Sequence, residues 1–384
     1  LSLVGINIKY ILTVGDNEED TMQAFKNYLY ECDVVVVTGG LGPTHDDITR
    51  SAVCKYFNTK LVLNEEVREN VKRILSLRHL KWTGAADNQS FVPEGCKIIP
   101  NKHGTAAGML FERENKYFVV MPGVPFEMKS MVDDYLIPFF KNHNKNNFII
   151  HRTLNTTGIT ESALSELLGD ISQLTSGTGL AFLPAPTGVK LRISAQGSNR
   201  ILVQKIVDDI EFKIRVKAET YIYSVGNEAL EEVVAKLLTD NNLTIAVAES
   251  CTGGLIADRI TNVSGSSKYF DRGVVAYSNK SKVELLNVPE DVISSFGAVS
   301  KETAEAMAEG GRKSSKTNIG LSTTGIAGPT GGTTEKPVGL VWIGYSDDKK
   351  TIAEKFFFGD DRLRVKIRTS QAALNIIRKQ LLGL

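Results

Sequence analysis

Residues 32–40 read CDVVVVTGG. Four consecutive valines put a β-branched, apolar side chain on both faces of an extended chain, which suits a strand covered on both sides in a parallel sheet. Gly39-Gly40 closes the run with a turn. Residues 17–30 before it and 46–56 after it carry apolar side chains at helical spacing, and helix, strand, loop, helix is the rhythm of an open α/β domain. A further run, KYFVVM at 116–121, enters Pro122-Gly123-Val124-Pro125, and a helix is expected from Phe126. This first domain is expected to span 1–147.

From Phe148 the order changes to strand (FIIHRTL, 148–154), helix (161–171), hairpin (GLAFLPAP, 179–186, and GVKLRISAQ, 188–196), helix (199–215) and strand (TYIYSV, 220–225). That order, β-α-β-β-α-β, is the ferredoxin-like one, and 148–225 is read as a small spacer or dimer-contact module ending at Val225-Gly226-Asn227. Residues 226–384 alternate again: helix (229–241), strand (LTIAVAES, 243–250), helix (253–263), strand (RGVVAYS, 272–278), helix (301–315), three strands (317–325, 339–346, 351–358) and a terminal helix (364–382). The fold class expected is therefore α/β, with two three-layer αβα domains joined by a small ferredoxin-like α+β module.

The chain's 384 residues exceed what one core organises, in keeping with several domains. A formal net charge of +1 removes any global field that would argue for a nucleic-acid or membrane partner. Cys32, Cys54, Cys96 and Cys251 form no CxxC pair and read as reduced thiols of a cytoplasmic protein. No apolar run approaches the length of a membrane span.

The turn Ala248-Glu249-Ser250-Cys251-Thr252-Gly253-Gly254 leaves a buried strand and enters a helix. Ligands of such folds bind outside the carboxyl ends of strands, and unpaired N–H groups at a helix start stabilise a phosphate or an oxyanion. The plainer reading makes Ser250 or Thr252 a helix cap. Two neighbouring strand ends favour a site: Tyr277-Ser278-Asn279-Lys280-Ser281-Lys282, and the glycine-dense run from Thr323 to Gly332. All five histidines lie outside this domain, so a serine nucleophile would need a lysine base, and Lys282 and Lys280 are the two candidates. Cys251 is the rival nucleophile.

The runs AESCTGG (248–254), GVVAYSNKSK (273–282), GAVS (297–300), TGIAGPTGG (324–332), EKPVGLVW (335–342) and FFFGDDR (356–362) together resemble the C-terminal domain of the CinA family. That resemblance implies a nicotinamide-nucleotide amidohydrolase, converting nicotinamide mononucleotide to nicotinate mononucleotide and ammonia without a cofactor. It makes Ser250 the nucleophile, Lys282 its base and Tyr277 a supporting hydroxyl. Thr252, Gly253, Gly254, Asn279, Thr324, Gly325 and Gly328 would contact substrate, and Arg362 its phosphate. The family has one aspartate before that arginine where this chain has Asp360-Asp361.

In the first domain Gly39, Gly40, Gly42 and Thr44 precede paired carboxylates, Asp46 and Asp47, at a helix start. Carboxylates there suit a hard cation or, equally, a helix cap. VGDNEED (14–20), GGLGPTHDD (39–47), HGTAAGM (103–109) and MPGVPFEM (121–128) resemble the N-terminal, MoaB-like domain of the same family. The resemblance implies hydrolysis of ADP-ribose with Asp46 and Asp47 on a divalent cation, potassium being a further candidate ion. It also implies one more strand ahead of Leu1. A non-catalytic competence or DNA-damage scaffold and a pterin-binding module are the rival readings. The family's middle module is described as KH-like, yet no GXXG clamp occurs in this one, so nucleic acid is not an expected partner. A homodimer is the expected assembly.

Overall fold

The computed structural model describes residues 1, 4–42, 48–143 and 148–384. They form two compact units, residues 1–149 with 196–203, and residues 150–195 with 204–384.

In the first unit, β1 (Val34–Thr38), β2 (Leu61–Leu63), β3 (Phe91–Pro93), β4 (Lys97–Ile99), β5 (Gly108–Arg113) and β6 (Lys116–Met121) form two sheets. The main one has the order β1-β6-β5-β4, and β2 pairs with β3. Alternation along β6 sends Phe118 and Val120 into a core with Phe25, Val53, Phe57 and Phe111, and Val119 and Met121 into another with Leu110, Met131, Leu136 and Phe140. Helices Glu18–Glu31 and Thr49–Phe57 supply the first core, and the segment from Pro125 to His143 the second, so the sheet is covered on both faces.

The valines of β1 depart from the expectation of a strand buried on both faces: all four are half-buried. β1 stands at the edge of its sheet, parallel to β6 on one side. Along it runs a cavity of about 1140 Å³ lined by residues 5–12 and 14–16, by Phe25 and Tyr28, and by β1 itself. Ile8, Tyr10, Ile11 and Leu12 in the facing segment are exposed and belong to no strand.

The second unit holds two sheets. β7 (Phe148–Thr156), β8 (Gly179–Ala185), β9 (Gly188–Gly197) and β10 (Ile222–Val225) take the order β10-β7-β9-β8, as expected for a ferredoxin-like module. β11 (Ile245–Glu249), β12 (Phe270–Val275), β13 (Ile319–Gly325), β14 (Leu340–Ser346) and β15 (Thr351–Phe357) take the order β12-β11-β13-β14-β15. β11 is parallel to β12 and β13, whereas β14 and β15 are antiparallel additions. Ile245 and Val247 face a core shared with helices Leu230–Asp240, Leu255–Thr261 and Arg362–Leu382. Ala248 faces Leu286 and Met307 on the opposite side, where helix Lys301–Ser315 lies. That helix sits so close to the sheet that a Cβ on Gly320 would stand 2.0 Å from Ala308 O and one on Gly344 2.3 Å from Ala304 O.

Arg378 of the terminal helix is 2% exposed and donates from Nη2 to Thr220 O (2.6 Å) and from Nη1 to Ile222 O (3.3 Å). Gln371 Nε2 donates to Thr157 Oγ1. These bonds hold the terminal helix to the β7–β10 module, which accounts for their grouping in one unit. Among the described residues no helix is long and apolar enough to cross a membrane.

Candidate active site

β11 carries a buried, apolar strand up to Glu249, and the chain then turns sharply through Gly253 and Gly254, both at positive φ in the left-handed region that suits glycine. Ser250 N donates to Thr323 O, and Gly253 N to Ser250 O, so the nucleophile candidate sits on a turn tied to β13. Helix Asn279–Leu286 faces it. Ser278 caps this helix, its Oγ accepting from Ser281 N, and the cap places Lys282 one turn in, pointing back toward β11.

Lys282 Nζ lies 3.2 Å from Ser250 Oγ and donates to Ala276 O at 3.0 Å. Lys282 is 2% exposed, and among the described residues no carboxylate pairs with it. Burial without a counter-ion disfavours the ammonium and pushes its pKa down from the ordinary 10.5. Lys280, the other base candidate, points into solvent and pairs with Glu284. Cys251 is buried, and burial pushes its thiol up to about 12, which leaves no thiolate near neutrality.

Tyr277 is exposed at the rim, and its hydroxyl accepts from Arg362 Nη2 at 2.9 Å. Arg362 Nη1 donates to Gly328 O at 2.8 Å, so one guanidinium links the loops that follow β12, β13 and β15. Asn279 is exposed at the first position of its helix. Thr252 and Thr324, expected at the substrate, are both buried. Thr252 Oγ1 bonds Thr323 Oγ1, and Thr324 Oγ1 donates to Ala298 O, so in this structure their hydroxyls tie loops together. Gly325 packs beneath Leu340 and Val341, and Gly328 beneath Val338.

The helix N-terminus read as a phosphate or oxyanion cradle holds an anion of the protein itself. Glu249 is 1% exposed. Its carboxylate accepts from Gly254 N at 2.9 Å, from Ile256 N at 3.1 Å and from Ala257 N at 2.8 Å. Negative charge is favoured at that end of a helix. The sequence reading missed this role, although an acidic residue just before a helix-entering turn is a recognisable cap signal. It also missed Lys366, whose Nζ sits 3.6 Å from where a Cβ of Gly253 would stand and which lies four residues beyond Arg362 on one helix face.

In the first unit Gly39 and Gly40 have φ of +105° and +63°, and a Cβ on Gly40 would strike Thr49 Oγ1. Gly42 O accepts from Arg50, and Thr44, Asp46 and Asp47 lie outside the described residues. Among the described residues no three His, Cys, Asp or Glu side chains gather as a metal-ion site.

Three family models match the chain: the CinA C-terminal domain over residues 227–381, the probable molybdopterin binding domain over 1–142, and the damage-inducible protein CinA KH domain over 151–224. A putative competence-damage inducible protein of Caldicellulosiruptor saccharolyticus is 44% identical over all of this chain and 93% of its own length. A CinA-like protein of Chloroherpeton thalassium is 43% identical, covering 99% of this chain and 93% of its own. Among solved structures, the competence/damage inducible protein CihA from Agrobacterium tumefaciens is 39% identical over 40% of this chain and 93% of its own, with a TM-score of 0.39. With identity of this level sustained along its whole length, the chain belongs to the CinA family, and it carries that family's MoaB-like, KH-like and C-terminal domains in order.

Proposed function

We propose that the protein is a cytoplasmic amidohydrolase that converts nicotinamide mononucleotide to nicotinate mononucleotide and ammonia at Ser250. The observation that carries this reading is the buried Lys282 amine beside Ser250 Oγ, a base whose pKa burial pushes down from 10.5, next to a hydroxyl that needs one. Ser250 Oγ bonds the carboxamide carbon while Lys282 Nζ takes the hydroxyl proton. The same proton passes to the departing nitrogen as the C–N bond breaks and ammonia leaves. Lys282 then takes a proton from water as the water oxygen bonds the acyl carbon, and returns it to Ser250 Oγ as the acyl C–O bond to the serine breaks and nicotinate mononucleotide is released. The N–H groups of Cys251 and Thr252, which follow Ser250 in the turn, have no backbone carbonyl partner among the described residues and are the donors for an oxyanion formed there. Tyr277, held by Arg362, and Asn279 stand at the rim as contacts for the ribose side.

The test is ammonia release from nicotinamide mononucleotide by the purified protein and by Ser250→Ala. Release by the wild type alone supports the reading, and equal release by both proteins defeats it.

For the first unit we propose ADP-ribose hydrolysis at the turn Gly39–Gly42 with Asp46 and Asp47 on a divalent cation, potassium included among the ions to be tried. Loss of ADP-ribose turnover on chelation and in Asp46→Ala supports it, whereas full turnover in chelator refutes it. The relatives' names favour the alternative of a competence or damage-response scaffold, for which neither substrate would be turned over. A homodimer is the proposed assembly.

A further inference from the structure

A nucleotide substrate brings a phosphate, and the site must hold it. The backbone donors at the start of helix Leu255–Thr261 are committed to the Glu249 carboxylate, whose negative charge would also repel a phosphate there. Arg362 spends one N–H on Gly328 O and one on Tyr277 Oη, which fixes its guanidinium as a brace between two loops. Lys366 differs. It is half-buried, makes no hydrogen bond or ion pair among the described residues, and holds its ammonium against the Gly253 turn, three residues from Ser250. With no partner among the described residues, its amine is placed to meet an anionic group of a ligand bound beside the turn. A Cβ on Gly253 would stand 3.6 Å from that ammonium, an ordinary contact, so it is the positive φ of the turn that favours glycine there.

We infer that Lys366 is the residue that selects for a phosphorylated substrate, pairing with the phosphomonoester of the pyridine ribonucleotide, while Arg362 one turn earlier braces the loops around it. This rests on the amidase reading of Ser250. Binding of the phosphate group, however, is measurable without turnover.

The experiment compares wild type, Lys366→Gln and Lys366→Arg. In Lys366→Gln, KM for nicotinamide mononucleotide is expected to rise about tenfold or more, the worth of one charge-assisted hydrogen bond, with kcat changing far less. The loss of kcat/KM on nicotinamide riboside, which lacks the phosphate, is expected to be much smaller, and Lys366→Arg recovers most of the affinity. Calorimetric titration with ribose 5-phosphate should show the same weakening. Equal losses on nucleotide and riboside, or a ribose 5-phosphate affinity unchanged by Lys366→Gln, overturn the inference. If the wild type releases no ammonia, the amidase reading fails, and the ribose 5-phosphate titration alone decides on Lys366, with absence of binding to the wild type counting against it.

Discussion

Replacing Lys282 by methionine keeps the apolar stem and removes the amine. The stem is buried and the amine touches two oxygens, Ser250 Oγ and Ala276 O, so packing survives while the base is lost. General-base assistance contributes roughly 10²- to 10⁴-fold, and turnover of nicotinamide mononucleotide should fall by that factor. In the wild type the base works only as the neutral amine. Below its pKa, the neutral fraction rises about tenfold per pH unit, so kcat/KM should climb with unit slope and level off below the ordinary lysine value of 10.5. The stability effect has a definite sign. The folded pKa is depressed and the unfolded one is ordinary, so between them the unfolded chain binds the extra proton and stability rises with pH. Below the folded pKa the full penalty of a buried ammonium is present. Lys282→Met lacks that dependence, and its stability advantage over the wild type should shrink as pH rises through the window. Ammonia release across pH, with urea unfolding at the same pH values, measures both. A flat or falling kcat/KM profile, or near-normal turnover in Lys282→Met, refutes the assignment of the base.

Ser250→Ala should abolish ammonia release while Cys251→Ala retains it to within a few-fold, because the buried thiol stays protonated; the reverse pattern moves the chemistry to sulfur. Glu249→Gln removes the charge opposite three helix N–H groups. Its unfolding stability should fall by about 1 kcal/mol. Turnover should fall with it as the Ser250 turn loosens, and an unchanged urea midpoint contradicts the cap. Arg378→Met deprives Thr220 O and Ile222 O of their donor. Leaving those carbonyls unpaired should cost about 2 kcal/mol, read as earlier unfolding of the second unit.

The order of elements was legible because periodicity is local: alternation in LTIAVAES and helical spacing in 301–315 are visible without any partner. What a strand is buried against is not local. CDVVVVT reads as a strand buried on both faces, yet its valines are half-buried at a sheet edge, since what covers a strand is a property of distant chain. The Ser250–Lys282 pair was legible for a similar reason in reverse. Absence of histidine in the domain left Lys280 and Lys282 as the bases to choose from, the family resemblance pointed to Lys282, and in the structure burial separates it from Lys280.

The helix start at Gly254 shows where residue types alone mislead. Unpaired N–H groups attract any anion, so a glycine turn before a helix predicts negative charge there without naming its owner. A phosphate must desolvate and be bound from solution, whereas Glu249 is tethered five residues from the first donor at Gly254 and reaches it at no cost in association entropy. An intramolecular carboxylate at such a distance therefore takes the position first, and substrate charge has to be met by side chains entering from elsewhere. On the reading proposed above, that duty falls to the helix arriving from β15, where Lys366 stands against the Gly253 turn and Arg362, one turn earlier, bonds Gly328 O and Tyr277 Oη.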